Sequence, residues 1–352
     1  MSDWSPAEQR ARAGFVEHFG DPPSFMIRSP GRVNLIGDHT DYTGGLVFPM
    51  AIDRGTTFSG VYDPGVIHLT SDAADGEVSI ALPYVADPSR FEPEWGGFVA
   101  SMAREVGATR GVRGHLVSNI PSGAGLSSSA ALECAIGLAL GFDGTPLDLA
   151  LTAQRAEQAT TGVPTGIMDQ YCIAAARAGH ATLIDCNALT VEHVAVTDEV
   201  DIVVRFVAHR TLRGSEYHQR VIECERAEVD IGPLRLATLD DVERVTDDIA
   251  RRRARHVITE NQRVRDFAAA LRRGDYIEAG RLMTDGHASL RDDFATSTDQ
   301  MDAAVQGLID HDGVFGARMT GGGFGGCLVA MCEPGAITDG WVVTASAGAR
   351  LL

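Results

Sequence analysis

The stretch Pro121-Ser122-Gly123-Ala124-Gly125-Leu126-Ser127-Ser128-Ser129-Ala130 joins a small-residue loop to the start of a helix, with serine hydroxyls at the junction. Upstream, Gly114 to Ser118 predicts a short strand. Downstream, Ala130 to Leu140 reads as apolar on every side and predicts a buried helix. The first turn of such a helix offers unpaired N–H groups and the positive end of its dipole. The glycines let backbone approach closely, and the hydroxyls can bond phosphate oxygen or a metal. The loop predicts a phosphate cradle, although by itself it reads equally as a plain capped turn.

A Walker loop ends in Gly-Lys-Ser/Thr, and a protein kinase needs a strand lysine against its phosphates. This chain contains no lysine; all 30 residues counted as lysine plus arginine are arginine. Both of those kinase architectures are excluded, as is a Schiff-base mechanism.

Two further motifs stand near the ends of the chain. One is Ser29-Pro30-Gly31-Arg32-Val33-Asn34-Leu35-Ile36-Gly37-Asp38-His39-Thr40-Asp41-Tyr42, the other Arg318-Met319-Thr320-Gly321-Gly322-Gly323-Phe324-Gly325-Gly326-Cys327. With the loop, they resemble the GHMP kinase family. The first motif is similar to the signature of its galactokinase branch at every position but one, where the branch carries Glu and this chain Asp38. Gly162-Val163-Pro164-Thr165-Gly166-Ile167-Met168-Asp169-Gln170 resembles the segment that holds the branch's catalytic aspartate. Ser215-Glu216-Tyr217 resembles the one supplying a sugar-contacting tyrosine, and His287 to Asp293 and Ala345 to Arg350 match further stretches.

The resemblance implies an α+β, two-domain GHMP kinase fold. Residues 1–190 would form a domain of the ribosomal-protein-S5 domain-2 type with the sugar signature and phosphate loop. Residues 191–352 would form a ferredoxin-like domain with the Gly-rich motif, and the active site would lie between them. Strands and helices mixed without a regular βαβ repeat agree with α+β. Family members usually carry a helix before the final strand, where this chain has a short linker between Cys332 and Trp341. The implied loss of about twenty residues should cost packing in the C-terminal half rather than chemistry.

The activity implied is ATP-dependent phosphorylation of the anomeric hydroxyl of galactose, giving α-galactose 1-phosphate, with ATP as co-substrate and Mg2+ as cofactor. Asp169 would be the base and Arg32 would neutralise charge beside it. Asp38, His39, Asp41, Tyr217 and the Gly166 backbone would bind the sugar. Pro121, Gly123, Ala124, Gly125, Leu126, Ser127, Ser128, Ser129 and Ala130 would hold ATP, and Ser129 with Glu157 would hold the metal.

Each of these residues has a plainer reading when taken without the family. Asp169 would be an acid favoured in a helix's first turn, Arg32 a surface ion pair, and Glu157 a solvent-facing helical glutamate. Asp38 to Asp41 would be a turn or a metal site, and Gly321 to Gly326 a flexible turn, architectural even within the family. Asp38 is one methylene shorter than the glutamate that addresses the sugar's C6 hydroxyl in the branch, which leaves room there for a water or a related sugar. A sister kinase acting on a galactose analogue altered at C6 or C2 is therefore one alternative. A non-catalytic sugar sensor is another, but such sensors lose the serine-alanine pair that persists here as Ser129-Ala130.

A 44% hydrophobic and 22% charged composition suits two globular cores. No apolar run reaches membrane-spanning length, and Met1-Ser2-Asp3-Trp4 does not open like an export signal, so a cytoplasmic location is expected. The net charge of −18 argues against nucleic acid and anionic membranes as partners, and requires ATP's site to be locally positive. A monomer is expected. The six cysteines, without paired metal-type spacing, read as reduced core residues. Local patterns predict helices at 5–19, 95–105 and 146–161, and a hairpin from 67–70 and 78–81. The run Arg251-Arg252-Arg253-Ala254-Arg255 reads as a solvated helix face.

Overall fold

A computed structural model describes residues 4–121, 123–209 and 215–352, so Ser122 of the phosphate loop lies outside the described residues. Helix α1 (Pro6–Phe19) opens with a capping box between Ser5 and Glu8 and closes on left-handed Gly20. Strands β1 (Phe25–Asn34), β2 (Leu46–Val47), β3 (Pro49–Asp63), β4 (Val66–Ser71) and β5 (Val78–Ala81) follow, with 3-10 turns at Asp41–Thr43 and, after β5, at Pro88–Arg90. Next come α2 (Glu94–Val106), β6 (Gly111–Ser118), α3 (Ser128–Ala139), α4 (Pro146–Thr161) and α5 (Met168–Ala175). The order continues with β7 (His180–Asp185), β8 (Thr190–Ala195), β9 (Asp201–Ala208), α6 (Ser215–Ile231), α7 (Leu239–Val242), α8 (Asp248–Arg272), α9 (Tyr276–Asp292) and α10 (Asp299–Ile309). Strands β10 (Val314–Met319), β11 (Gly326–Cys332), β12 (Trp341–Val343) and β13 (Arg350–Leu351) complete the chain.

The predicted helices appear as α1, α2, α3 and α4. Thr145 and Asp148 form a capping box at the head of α4, Pro146 sits in its first turn, and left-handed Gly162 ends it. The predicted hairpin is the antiparallel β4–β5 pair.

The first sheet runs β13-β1-β3-β6-β4-β5, with β4 and β6 its parallel pair. Helices α2 to α5 bury their apolar faces in the main core with this sheet, while α1 covers a small cluster of Ala11, Met26 and Val117. The strands β2, β7 and β8 form a separate three-stranded sheet. The third sheet, β10-β11-β9-β12, has the strand order expected of a ferredoxin-like sheet, and α6, α8 and α10 contribute to a second core with it.

The link from β11 to β12 has to cross β9. It does so without a helix because β12 is short and pairs only at Ile202 to Val204, close to Asp201 opposite the end of β11. Gly335 N–H donates to the Asp201 carboxylate at 2.8 Å, and Ile337 buries its side chain in the second core.

One surface reading is corrected. Within the arginine run, Arg253 is buried between α8 and α6, donating to Glu223 at 2.6 Å. Only three-dimensional packing of two distant helices selects that face of α8. All six cysteines are free thiols, and only Cys186 is not fully buried.

Candidate active site

The phosphate loop meets the first motif at a bulge. The β1–β3 register shifts between Pro30 and Arg32, which frees the Arg32 N–H to donate to the Leu126 carbonyl at 3.2 Å. Gly31 is needed at this crossing, since a Cβ there would lie 2.8 Å from the same carbonyl oxygen. Ala124, Leu126 and Ala130 turn into the core and anchor the loop, while Gly123, Gly125, Ser127, Ser128 and Ser129 line a cavity of about 350 Å3. Pro121 accepts the turn-closing bond from the Ala124 N–H at 3.3 Å. Ser127, the residue before α3, sits at φ 60°, a left-handed conformation uncommon for serine.

Arg32 and Asp169 meet inside the cavity in a fork. Nε donates to Oδ1 at 2.7 Å and Nη2 to Oδ2 at 2.6 Å, while Nη1 holds the Gly125 carbonyl at 2.7 Å. Arg32 is buried, not a surface cation. Burial disfavours its charge, but Asp169 outweighs burial and raises its pKa above the ordinary arginine value. The Ser127 hydroxyl donates to Asp169 Oδ2 at 2.5 Å. One carboxylate is thus held by residues of the first motif and of the loop.

The polar end of the cavity is formed by His39, Asp41, Gly166 and Tyr217. Asp41 occupies the space where a side chain on residue 166 would stand: a Cβ there would lie 1.9 Å from Asp41 Oδ2. The rings of His39 and Tyr217 lie 5.5 Å apart, and His39 also packs 4.8 Å from Phe294. Burial, with the charge of Asp169 adding to it, pushes the Asp41 carboxyl up to about 7.

The folded Asp41 therefore keeps its proton where an unfolded aspartate, at its ordinary value of 3.8, has lost it. The stability it contributes is whole below that value and is lost as pH rises through about 7. The sugar-free protein is expected to lose melting temperature across that rise, and Asp41→Asn to remove most of the loss. Equal slopes in the two proteins would assign the pH dependence to another group.

Asp38 borders the cavity, but its carboxylate is already engaged. Oδ2 accepts from Arg318 Nη2 at 2.8 Å and Oδ1 from the Gly321 N–H at 2.9 Å. Arg318 also donates to Glu260 at 2.8 Å, and Glu260 accepts from the Gly37 N–H at 2.9 Å. The first and last motifs are thereby locked together, an arrangement reinforced where Asn34 N–H donates to Thr320 Oγ1 at 2.9 Å. The expected reach of Asp38 toward a sugar's C6 hydroxyl competes with this ion pair. Arg318 was visible in the third motif, but nothing local in sequence paired it with Asp38.

At the head of α3, Ser129 Oγ donates to Glu157 Oε1 at 2.8 Å. Glu157 is not the solvent-facing residue its helix position alone suggests. Burial raises its pKa, with Asp169 adding to the effect. Gln170 donates to Glu157 Oε2 at 2.7 Å and to Glu133 Oε2 at 3.2 Å. Glu133 corrects the reading of α3 as apolar all round, for it is a fully buried acid whose pKa burial drives well up. A lone charge in an apolar helical run was its available signal.

The donor set suits a magnesium ion. A hydroxyl and a carboxylate are hard oxygens, and Mg2+ is commonly held by one or two carboxylates with phosphates and water. No group of three or more His, Cys, Asp or Glu among the described residues could hold a metal ion without such help.

Beyond α3 lies a second cavity of about 400 Å3 that Ser128 and Ser129 also line. Trp95, Phe98, Leu116, Ile120 and Leu132 make its walls apolar, and Trp95 Nε1 is tied to the Asp75 carbonyl at 3.1 Å. Sequence reasoning missed this cavity, because its walls come from α2, β6 and α3.

The galactokinase galactose-binding signature matches residues 13–60, the GHMP kinase N-terminal domain 96–177 and its C-terminal domain 267–339. Galactokinase of Bos taurus is 40% identical over 93% of this chain and 88% of its own length; that of Homo sapiens is 39% identical with the same coverage. The crystal structure of Lactococcus lactis galactokinase complexed with galactose superposes with a TM-score of 0.90 at 30% identity, covering 96% of this chain and 98% of that one. The mevalonate kinase of Methanococcus jannaschii shares the fold, with a TM-score of 0.64 at 19% identity. By signature, domain order and identity along nearly its whole length, the chain belongs to the galactokinase family of GHMP kinases.

Proposed function

We propose that the chain transfers the γ-phosphoryl group of ATP to the anomeric C1 hydroxyl of galactose, giving α-galactose 1-phosphate and ADP. The Arg32–Asp169 fork carries this reading, because it lies between the phosphate loop and the polar, aromatic-walled end of one cavity. Phosphoryl transfer asks chiefly for alignment and charge neutralisation. Asp169 accepts the proton of the C1 hydroxyl or orients it, while Arg32 neutralises charge that develops on the phosphoryl oxygens. Asp41, His39, Tyr217 and the Gly166 backbone bind the other hydroxyls. Asp38 shapes the C6 end while tied to Arg318 and Gly321.

The loop N–H groups and α3 dipole receive the phosphates, and the apolar cavity beside Trp95 and Phe98 takes the adenosine end of ATP. Ser129 and Glu157 hold Mg2+, which when bound neutralises and orients the phosphates. No helix among the described residues is long and apolar enough to cross a membrane, and action in the cytoplasm as a monomer fits this small-molecule chemistry.

The reading is tested by sugar-dependent ADP release with ATP and Mg2+ across galactose, 6-deoxygalactose, galacturonate, glucose and 2-amino-2-deoxygalactose. Galactose is expected to have the highest kcat/KM. A clear preference for a C6- or C2-altered sugar would favour the sister-kinase reading, and no turnover of any sugar would favour the sensor. Ser129→Ala and Glu157→Gln are expected to raise the Mg2+ requirement with little change in sugar affinity. Weakened sugar binding at unchanged metal dependence would remove both residues from the metal site.

A further inference from the structure

Glu133 is a buried acid for which the reaction above has no use. It stands one turn after Ser129 on α3, and Oε1 has no hydrogen-bond partner among the described residues. Apolar residues would pack there without the cost of burying a carboxyl group. Its other oxygen ends a chain of hydrogen bonds that spans three helices. Ser129 on α3 donates to Glu157 on α4, and Gln170 on α5 donates to Glu157 and also to Glu133, which stands on α3 again.

Gln170 is also fully buried and directly follows Asp169. Its amide could turn either way, and the two carboxyl oxygens that accept from Nε2, Glu157 Oε2 and Glu133 Oε2, set the orientation it takes. Without Glu133, one of the two acceptors that set this orientation is gone. A turned amide would put Oε1 against Glu157 Oε2, and that carboxylate would swing away from Ser129.

We infer that Glu133 is a positioning residue for phosphoryl transfer, acting through the Gln170 amide to hold Glu157 in place for the metal. The inference rests on the reading that Ser129 and Glu157 hold Mg2+. Groups that orient a metal ligand without touching the metal typically change metal affinity by about 10–100-fold when removed.

The test titrates Mn2+, as a spectroscopic stand-in for Mg2+, into the protein with a non-hydrolysable ATP analogue, following free Mn2+ by electron paramagnetic resonance. Glu133→Leu is expected to weaken Mn2+ binding about tenfold or more. Glu133→Gln keeps an acceptor carbonyl at the same reach and should restore most of the affinity. Gln170→Met breaks the link from its other end and should reproduce the loss, which covers the case of a Glu133→Leu protein that fails to fold. Galactose affinity, measured by calorimetry, should be unchanged throughout.

Mn2+ affinity at the wild-type level in either folded Glu133→Leu or Gln170→Met overturns the inference, as does a Glu133→Gln protein as weak as the leucine variant. Glu157→Gln separates the two levels of failure. If it binds Mn2+ weakly while Glu133→Leu binds normally, the positioning role fails alone; if it binds normally, the metal reading and the inference fall together.

Discussion

Asp169→Asn is expected to lower kcat by about 10²–10⁴-fold, the usual worth of a positioned acid or base. The amide is nearly the same size and keeps one oxygen for Arg32, but it cannot accept the sugar's proton. Arg32 also retains the Gly125 carbonyl at 2.7 Å, so the buried guanidinium is not stranded and the fold should persist. The measurement is steady-state ADP release at saturating galactose and Mg·ATP, with a thermal melt as the check on folding. A cooperative melt with kcat lowered and KM for galactose little changed is the signature of a lost chemical step. Turnover within a few-fold of wild type would take Asp169 out of the mechanism and leave alignment by Arg32 and the loop to explain the rate.

The second large effect is on stability. Arg318 is fully buried between Asp38 and Glu260, themselves at 1% and 0% exposure. Arg318→Met removes the cation these two buried acids share. Glu260 keeps the Arg263 guanidinium at 2.7 Å and the Gly37 N–H, whereas Asp38 is left with the Gly321 N–H. Breaking one side of a buried ion pair typically costs about 3–5 kcal/mol, because the remaining charge has neither water nor a partner. Urea unfolding should show a loss of that order. Asp38→Asn should cost less, since it leaves Arg318 paired with Glu260. If Arg318→Met unfolds within about 1 kcal/mol of wild type, the pair does not hold the first motif to the last in the way its geometry indicates.

The legible parts of the molecule were those set by neighbours in sequence. Thr145, Pro146, Asp148 and Gly162 bound α4 because capping groups act over three or four residues. The β4–β5 hairpin followed from alternation and a turn, and the glycines and serines before α3 marked a loop that lines a cavity. Residues 31, 32, 38 to 41, 129, 157 and 169 were nameable only through motif resemblance, since no spacing rule joins positions so far apart. The resemblance supplied roles; the structure supplies partners.

What the sequence by itself determined, then, is part of the element list, α1 to α4 and the β4–β5 hairpin, together with the exclusion of lysine-based phosphate binding. Tertiary structure alone decided which charges meet. It sent Asp38 to Arg318, 280 positions away, buried Arg253 against Glu223, and linked Ser129, Glu157, Gln170 and Glu133 into one hydrogen-bond chain. Caps and turns act through hydrogen bonds between residues a few positions apart, so composition and order reveal them. A buried ion pair is fixed by the high cost of leaving either charge unpaired once the chain is compact, and that constraint exists only after packing has removed the water.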